Sequence, residues 1–247
     1  MTLPGRVALR LFLTCWIVYS LHLATNTVRE TYLALAIADH FSFRVDEYGG
    51  LHHDLFEKPG YGWHIGGNPG ASMLGAIPYA IARPAVDRIV AHVNRKRLAS
   101  GAPPPEYHSP WPLARNFFQE AWRRGFDVKF GLASVIMQVF CMAPLSAASA
   151  VLMFLVQRRL AGSESAALWL TLLYAFGTPV FFRTAYLNQN LILGHVAFAG
   201  FIVLWNPDGL VPWSNRNRAL AAGLAGGLAV LLDYSGLIPL VALFAWL

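Results

Sequence analysis

The feature that most constrains the fold is a long apolar run without a charged residue, Phe130–Val156. A helix needs about 20 such residues to cross the hydrocarbon core of a bilayer. The chain is 56% hydrophobic and 13% charged, whereas soluble domains carry roughly 25% charged residues. Intrinsically disordered chains are poor in apolar residues, so that class is excluded. The composition predicts a polytopic membrane protein.

Further apolar runs are separated by short charged segments: Leu11–Ala24, Ala166–Phe182, Leu191–Trp205 and Ala219–Leu232, with another after Asp233. We therefore predict an all-α polytopic membrane protein with about five to six transmembrane helices. Lys and Arg concentrate in cytoplasmic loops. Arg6 and Arg10 before the first run thus predict a cytoplasmic N-terminus, in an integral protein of the bacterial inner membrane.

The predicted organisation is a first transmembrane helix (1–24), a large outer loop (25–129) and a transmembrane helix bundle (130–247). Within the loop, Thr27 and Glu30 have the spacing of a capping box, so a short helix is expected to start there and to lie along the membrane surface. Segment 71–91 is predicted to be re-entrant, because its apolar part is short and contains Pro78.

The stretch His52–Pro59 concentrates two histidines, two carboxylates and a lysine. A carboxylate there can act as a general base, histidine and carboxylate can hold a divalent cation, and Lys58 can neutralise a phosphate. A hydrated loop is the plainer alternative. Adjacent histidines in a strand point in opposite directions, so we assign no metal site and no cofactor, and leave only a divalent cation open.

Two places outside the loop also carry chemistry. Asp233 interrupts an otherwise uncharged apolar run, and a carboxylate at a membrane edge is a functional candidate. Asp233 and Tyr234 equally suit a plain helix end at the interface. Arg183 lies at the predicted outer face and is a candidate phosphate contact, or part of an ordinary polar loop.

Three segments resemble the GT-C superfamily of membrane glycosyltransferases, above all the protein O-mannosyltransferase-like and aminoarabinose-transferase-like enzymes. Asn26–Arg29 is similar to the family's loop-opening acidic segment. Phe56–Pro59 resembles its aromatic-Glu-Lys-Pro segment, and Gly226–Leu231 before Asp233 resembles its Gly-rich helix. These enzymes have more spans, so the resemblance implies that the chain is an N-terminal portion of a longer protein.

The resemblance implies transfer of a sugar from a polyprenyl-phosphate donor to an acceptor at the outer leaflet. Asn26 and Asn188 stand where the family has acidic residues, so either another carboxylate is the base, or these segments align differently with the family, or the protein is not catalytic. The expected catalytic residues are Asp46, Glu47 and Asp233. The expected substrate and phosphate contacts are Arg29, Glu57, Lys58, Arg183 and Tyr234.

The expected partners are membrane lipids and the lipid-linked sugar, with no nucleic acid. Two other functions stay open: a non-catalytic accessory membrane subunit, and a transporter of a lipid-linked or small polar solute. The chain stops at Leu247 inside an apolar run, which predicts packing against further helices or another chain.

Overall fold

The computed structural model describes residues 3–24, 26–101, 103–108, 110 and 112–246. The expected packing beyond Leu247 therefore concerns a residue outside this described part. The chain divides into two units. We name residues 1–24, 68–71 and 138–247 the helical unit, and residues 25–67 and 72–137 the hairpin unit.

Helices dominate both units. In chain order they are α1 (Leu3–Leu21), α2 (Arg29–His40), α3 (Gly70–Ser100), α4 (Pro112–Arg123), α5 (Asp127–Met137), α6 (Ala143–Leu160), α7 (Glu164–Gly177), α8 (Pro179–Arg183), α9 (Gln189–Trp205), α10 (Asn215–Leu232) and α11 (Leu237–Trp246). Short 3-10 turns lie at Asp46–Tyr48, Pro207–Gly209 and Tyr234–Gly236, and a π turn, Gln138–Met142, joins α5 to α6. β1 (Leu55–Lys58) and β2 (Gly62–Ile65) form an antiparallel hairpin.

The predicted number of membrane spans is wrong. Within the described part of the chain, a single helix is long and apolar enough to cross a membrane, the continuous segment Asp127–Leu160 of 34 residues. It contains the run Phe130–Val156. A fold with about five to six transmembrane helices, the number that the apolar runs suggested by length, is not supported.

The other runs end early or contain charges. α7 ends at Gly177, since Thr178 is extended and caps α8 instead. α9 has 17 residues, and α10 is ended by the extended backbone of Asp233. α1 includes Arg6 and Arg10. The apolar residues of these segments therefore belong to helices that do not qualify as membrane spans by length and composition.

Close backbone contacts organise the helical unit. A side chain on Gly200 of α9 would meet Ala225 Cβ at 2.9 Å, and one on Gly226 of α10 would meet Leu240 Cδ1. Only glycine permits these approaches. A side chain on Gly223 or Gly227 of the same helix would meet nothing within 4 Å. The packing surface of α10 thus lies on its Gly226 side.

Several buried polar groups in the helical unit are hydrogen-bonded to one another. The Tyr19 hydroxyl donates to Ala175 O at 3.0 Å, and Gln138 Nε2 in the π turn donates to Tyr19 O at 2.6 Å. His195 Nε2 lies 2.9 Å from the Ser146 hydroxyl, which also bonds to Thr184. His195 is therefore a packing residue.

α2 forms the core of the hairpin unit, which corrects the prediction of a surface helix. Tyr32, Leu33 and Leu35 are at most 2% exposed. The Tyr32 ring packs against the rings of Phe117 and Phe130 at 6.2 and 5.0 Å. The capping box is also wrong: the helix begins at Arg29 after Val28, without a side-chain cap.

The chain before the hairpin completes this unit. Val45 N–H donates to Trp63 O at 2.8 Å, so the segment after α2 lies against β2. In the hairpin, Leu55 pairs with Ile65 and Lys58 with Gly62. These strands are an exception to the predicted all-α fold, and they begin only after His52 and His53.

Segment 71–91 lies within α3, a continuous helix of 31 residues that includes Pro78 and Pro84. Proline removes a backbone donor and usually ends or kinks a helix. Here Tyr79, which follows Pro78, and Val86, which lies two residues after Pro84, are buried. The Arg83 guanidinium donates to Ala38 O at the end of α2. Tertiary packing therefore holds the helix together across both prolines.

Candidate functional site

The predicted site residues belong to both units. Arg29, Asp46, Glu47, Glu57 and Lys58 lie in the hairpin unit, whereas Arg183, Asp233 and Tyr234 lie in the helical unit. Each group is described within its own unit.

In the hairpin unit, one guanidinium at the start of α2 is shared by two carboxylates. Arg29 Nε donates to Glu30 Oε1 at 3.2 Å, and Arg29 Nη1 donates to Asp54 Oδ2 at 3.1 Å. The Arg29 side chain is 22% exposed, that of Glu30 8% and that of Asp54 37%. We name Arg29, Glu30 and Asp54 the Arg29 cluster. Its geometry lets Arg29 orient both carboxyl groups.

The turn after β2 closes over this guanidinium. A Cβ on Gly67 would lie 3.0 Å from Arg29 Cζ, so the glycine lets the backbone approach the guanidinium directly. Gly66 N–H donates to Asp54 O at 2.8 Å. The turn and the cluster therefore hold each other in place.

Glu30 carries the raised pKa of the cluster. Burial raises the pKa of its carboxyl above the ordinary 4.5, an effect that the Arg29 guanidinium opposes. The backbone of the same residue is fixed, because Ser72 Oγ donates to Glu30 O at 2.9 Å. A buried carboxyl with a raised pKa beside a cation is a common arrangement at functional sites.

Asp54 is the last residue of the turn before β1, and the two histidines that precede it stack on each other. The rings of His52 and His53 stack with centroids 4.3 Å apart. His52 Nδ1 accepts the Asp54 N–H at 3.0 Å, and His53 Nε2 lies 3.5 Å from Asp54 Oδ1. Burial, followed by the charge of His53, lowers the pKa of His52 below 6.5. His52 is therefore neutral at pH 7.

An open cleft of about 550 Å³ borders these histidines. His52 and His53 form one side, and Gln119, Glu120 and Arg124 of the α4 region line it as well. Arg124 is held by Glu120 at 2.7 Å and by Glu47 O at 3.0 Å. The guanidiniums of Arg123 and Arg124 lower the pKa of Glu120 to about 2, so this wall is ionised at neutral pH.

Asp46, the first choice as base, joins the 3-10 turn to the hairpin. Its Oδ1 accepts the Trp63 N–H at 2.8 Å, and its Oδ2 accepts Arg44 Nη2 at 2.5 Å. The Trp63 N–H lowers the pKa of this carboxyl, with Arg44 adding to the effect. Both oxygens are engaged, so the geometry suits a structural tie. Its catalytic role stays a prediction.

Glu47, Glu57 and Lys58 are exposed. Glu47 Oε1 lies 3.6 Å from His40 Nε2. Glu57 stands opposite Trp63 in the hairpin. Lys58 Nζ lies 4.5 Å from the Tyr61 ring centroid. Among the described residues, Lys58 has no ion pair, so its charge is available to an anion.

In the helical unit, Asp233 caps the turn after α10. Its Oδ1 accepts the Ser235 N–H at 2.9 Å, and its Oδ2 accepts Gln189 Nε2 at 2.9 Å. Tyr234 is 80% exposed, and Arg183 is exposed at the end of α8. These contacts give Asp233 a clear capping role. The catalytic and binding roles of the three residues stay predictions.

Two groups of side chains in the described part of the chain could hold a metal ion: His52, His53 and Asp54, and Asp39, His40 and Glu47. In the second group, Asp39 is already neutralised by two cations. Its Oδ1 accepts Arg83 Nε at 3.0 Å and its Oδ2 accepts Lys129 Nζ at 2.5 Å, with 2% of its side chain exposed.

Sequence reasoning did not select Glu30 or Asp54 as site residues. Glu30 was assigned to a helix cap, and Asp54 was one of several charges in its stretch. Arg29 and Asp54 are 25 residues apart in the chain, so no spacing rule joins them. The one available signal was the charge density of His52–Lys58.

Comparisons with known proteins identify no relative. No protein-family model matches the sequence, and no curated protein and no solved structure matches it.

Proposed function

We propose that this protein is a glycosyltransferase that moves a sugar from a polyprenyl-phosphate donor to an acceptor hydroxyl, with the Arg29 cluster as its reacting site. The observation that carries the proposal is the single guanidinium bonded to both Glu30 and Asp54. The likeness of Phe56–Pro59 to the GT-C enzymes supports the same reaction, because β1 begins directly after Asp54.

Asp54 is the carboxylate best suited to act as base. Its side chain is 37% exposed, so an acceptor can reach it. Arg29 holds Oδ2 and leaves Oδ1 for the proton. Asp54 takes the acceptor hydroxyl proton while the acceptor oxygen bonds to the anomeric carbon. The bond from that carbon to the phosphate oxygen breaks, and polyprenyl phosphate leaves with both electrons.

Lys58 is the cation best placed to receive the phosphate. β1 runs about 10 Å from Leu55 to Lys58, at about 3.3 Å per residue. An inverting displacement puts base and leaving group on opposite faces of the sugar, and inverting glycosidases separate their two carboxyls by about 6.5–9.5 Å. Asp54 directly precedes β1 and Lys58 ends it, so the proposed base and the proposed phosphate contact lie at opposite ends of the strand.

The donor is a lipid, so the proposal includes a membrane. The helix Asp127–Leu160 is long and apolar enough to anchor the chain. Lipid partners and an inner-membrane location remain part of the proposal. Transfer in this scheme needs no cofactor besides the donor, and a bound cation is a separate proposal.

The test is transfer of label from a radiolabelled polyprenyl-phosphate sugar in membranes that contain the protein. We expect Asp54→Asn to lower turnover at least about 100-fold, the usual contribution of a general base. Asp87→Asn is the matched control, since Asp87 is 51% exposed and, among the described residues, has its ion pair with Arg83 alone. Its turnover should equal that of the wild type. Absence of transfer by inserted wild-type protein with every donor would overturn the proposal and favour an accessory role.

A further inference from the structure

We propose that His52, His53 and Asp54 bind one divalent transition-metal ion, with an open coordination position facing the cleft beside them. The ligand atoms of the three residues all lie within 4.8 Å of one another. Metal binding at this turn goes beyond sugar transfer and is a separate state of the site, because Asp54 Oδ1 would ligate the ion in one state and accept the proton of the acceptor in the metal-free state.

The donor set suits such an ion. Two imidazoles and one carboxylate, with a position left for water or substrate, are typical of catalytic zinc sites. Ligands at about 2.1 Å from a tetrahedral ion stand roughly 3.3 Å apart. His53 Nε2 and Asp54 Oδ1 are already 3.5 Å apart, so this pair needs little movement to share an ion.

The turn overrides the alternation that separates adjacent histidines in a strand. His52 and His53 precede β1, and their rings stack instead of pointing to opposite faces. His52 Nδ1 accepts the Asp54 N–H, so its lone pair is unprotonated. A cation would compete with one neutral hydrogen bond for that lone pair, and coordination to imidazole is the stronger interaction.

Asp54 also has the outer contact that orients a metal ligand. Arg29 Nη1 donates to Oδ2, which fixes the carboxylate and leaves Oδ1 beside His53. Hydrogen bonds of this kind to the unliganded atom typically support metal sites. The cleft that His52 and His53 line gives the ion access to solvent and to a polar ligand.

The other candidate group lacks these features. Both oxygens of Asp39 are taken by Arg83 and Lys129, and two cations would repel a third. His40 and Glu47 then offer only a single exposed pair. A metal ion should therefore bind to His52, His53 and Asp54 and not to Asp39, His40 and Glu47.

The test is Zn²⁺ binding to the purified full chain after treatment with EDTA, measured by calorimetry and by metal analysis. We expect one Zn²⁺ per chain. His53→Ala, in which a 66% exposed side chain is removed, should weaken binding at least tenfold with an unchanged far-ultraviolet circular dichroism spectrum. His40→Ala should bind as the wild type does.

Co²⁺ provides a second readout, because its visible spectrum reports imidazole ligation. The spectrum of ligated Co²⁺ should appear with the wild type and His40→Ala and be lost with His53→Ala. Wild-type protein that binds no Zn²⁺, or equal binding by all three proteins, would overturn the proposal. These measurements use no sugar donor, so failure of transfer and failure of metal binding are observed separately.

Discussion

Two charge clusters in the hairpin unit have opposite composition. In the Arg29 cluster, one cation serves two carboxylates. Around Asp39, one carboxylate serves two cations, and its side chain is 2% exposed. The Asp39 cluster is closed, because every charge has its partner within the fold. The Arg29 cluster keeps an accessible carboxylate at Asp54. This difference separates a structural ion network from a candidate site.

The largest expected effect concerns stability at Asp39. Asp39→Asn removes the buried counter-charge of Lys129 and leaves Arg83 with only the exposed Asp87. Removal of one partner from a buried pair costs up to about 3–5 kcal/mol, and the partial exposure of Arg83 places the expected loss at the lower end. Chemical unfolding of the purified protein measures this loss. Asp87→Asn, on the exposed side of Arg83, should change stability by less than about 0.5 kcal/mol. An equally small effect of Asp39→Asn would remove the contrast between the clusters.

A smaller effect follows from the raised pKa of Glu30. The folded state holds this proton to higher pH than the unfolded chain does, so the contribution of Glu30 to stability is greatest at low pH. It falls as pH rises from about 4.5, the ordinary pKa, through the raised value. The slope for one proton is at most about 1.4 kcal/mol per pH unit.

Glu30→Gln should remove this component. The difference in unfolding free energy between variant and wild type should grow in favour of the variant across that pH window. A constant difference from pH 4 to pH 8 would mean that Glu30 titrates normally. Glu57→Gln, an exposed carboxyl in the same unit, is the matched control and should show no such trend.

The smallest effect on stability is expected at Gly67. A methyl group there meets the end of the flexible Arg29 side chain at 3.0 Å, so the guanidinium can move aside. Gly67→Ala should lose less than about 1 kcal/mol of stability, below the usual cost of overpacking a core. Turnover should fall by more than the loss of folded protein explains, because Arg29 no longer orients Asp54. Gly131→Ala, where the added Cβ meets nothing within 4 Å, is the control for turnover, and within its helix it should raise stability by about 0.5–1 kcal/mol.

Much of the helical content could be predicted from the sequence. The uncharged run Phe130–Val156 lies inside the helix Asp127–Leu160, and Leu191–Trp205 lies inside α9. The step from apolar run to membrane span failed, because run length does not reveal where Thr178 or Asp233 ends a helix. Helices that pack on each other have the same composition as helices in lipid.

The candidate site was less accessible to sequence reasoning. The charged stretch His52–Lys58 marked the correct region, but the choice among its carboxylates depends on hydrogen bonds. Asp46 follows an extended segment and looked available, yet Trp63 and Arg44 occupy both its oxygens. The partnership of Arg29 with Asp54 arises only when β2 returns the chain to the start of α2.

The most direct measurement compares turnover per folded molecule for Asp54→Asn and Asp39→Asn, with the labelled lipid-phosphate donor and the folded fraction of each preparation. If the Arg29 cluster is the reacting site, Asp54→Asn stays folded and loses at least about 100-fold in turnover. Asp39→Asn is then destabilised, but its folded molecules turn over as the wild type does. Normal turnover by folded Asp54→Asn would contradict the assignment of the Arg29 cluster as the reacting site.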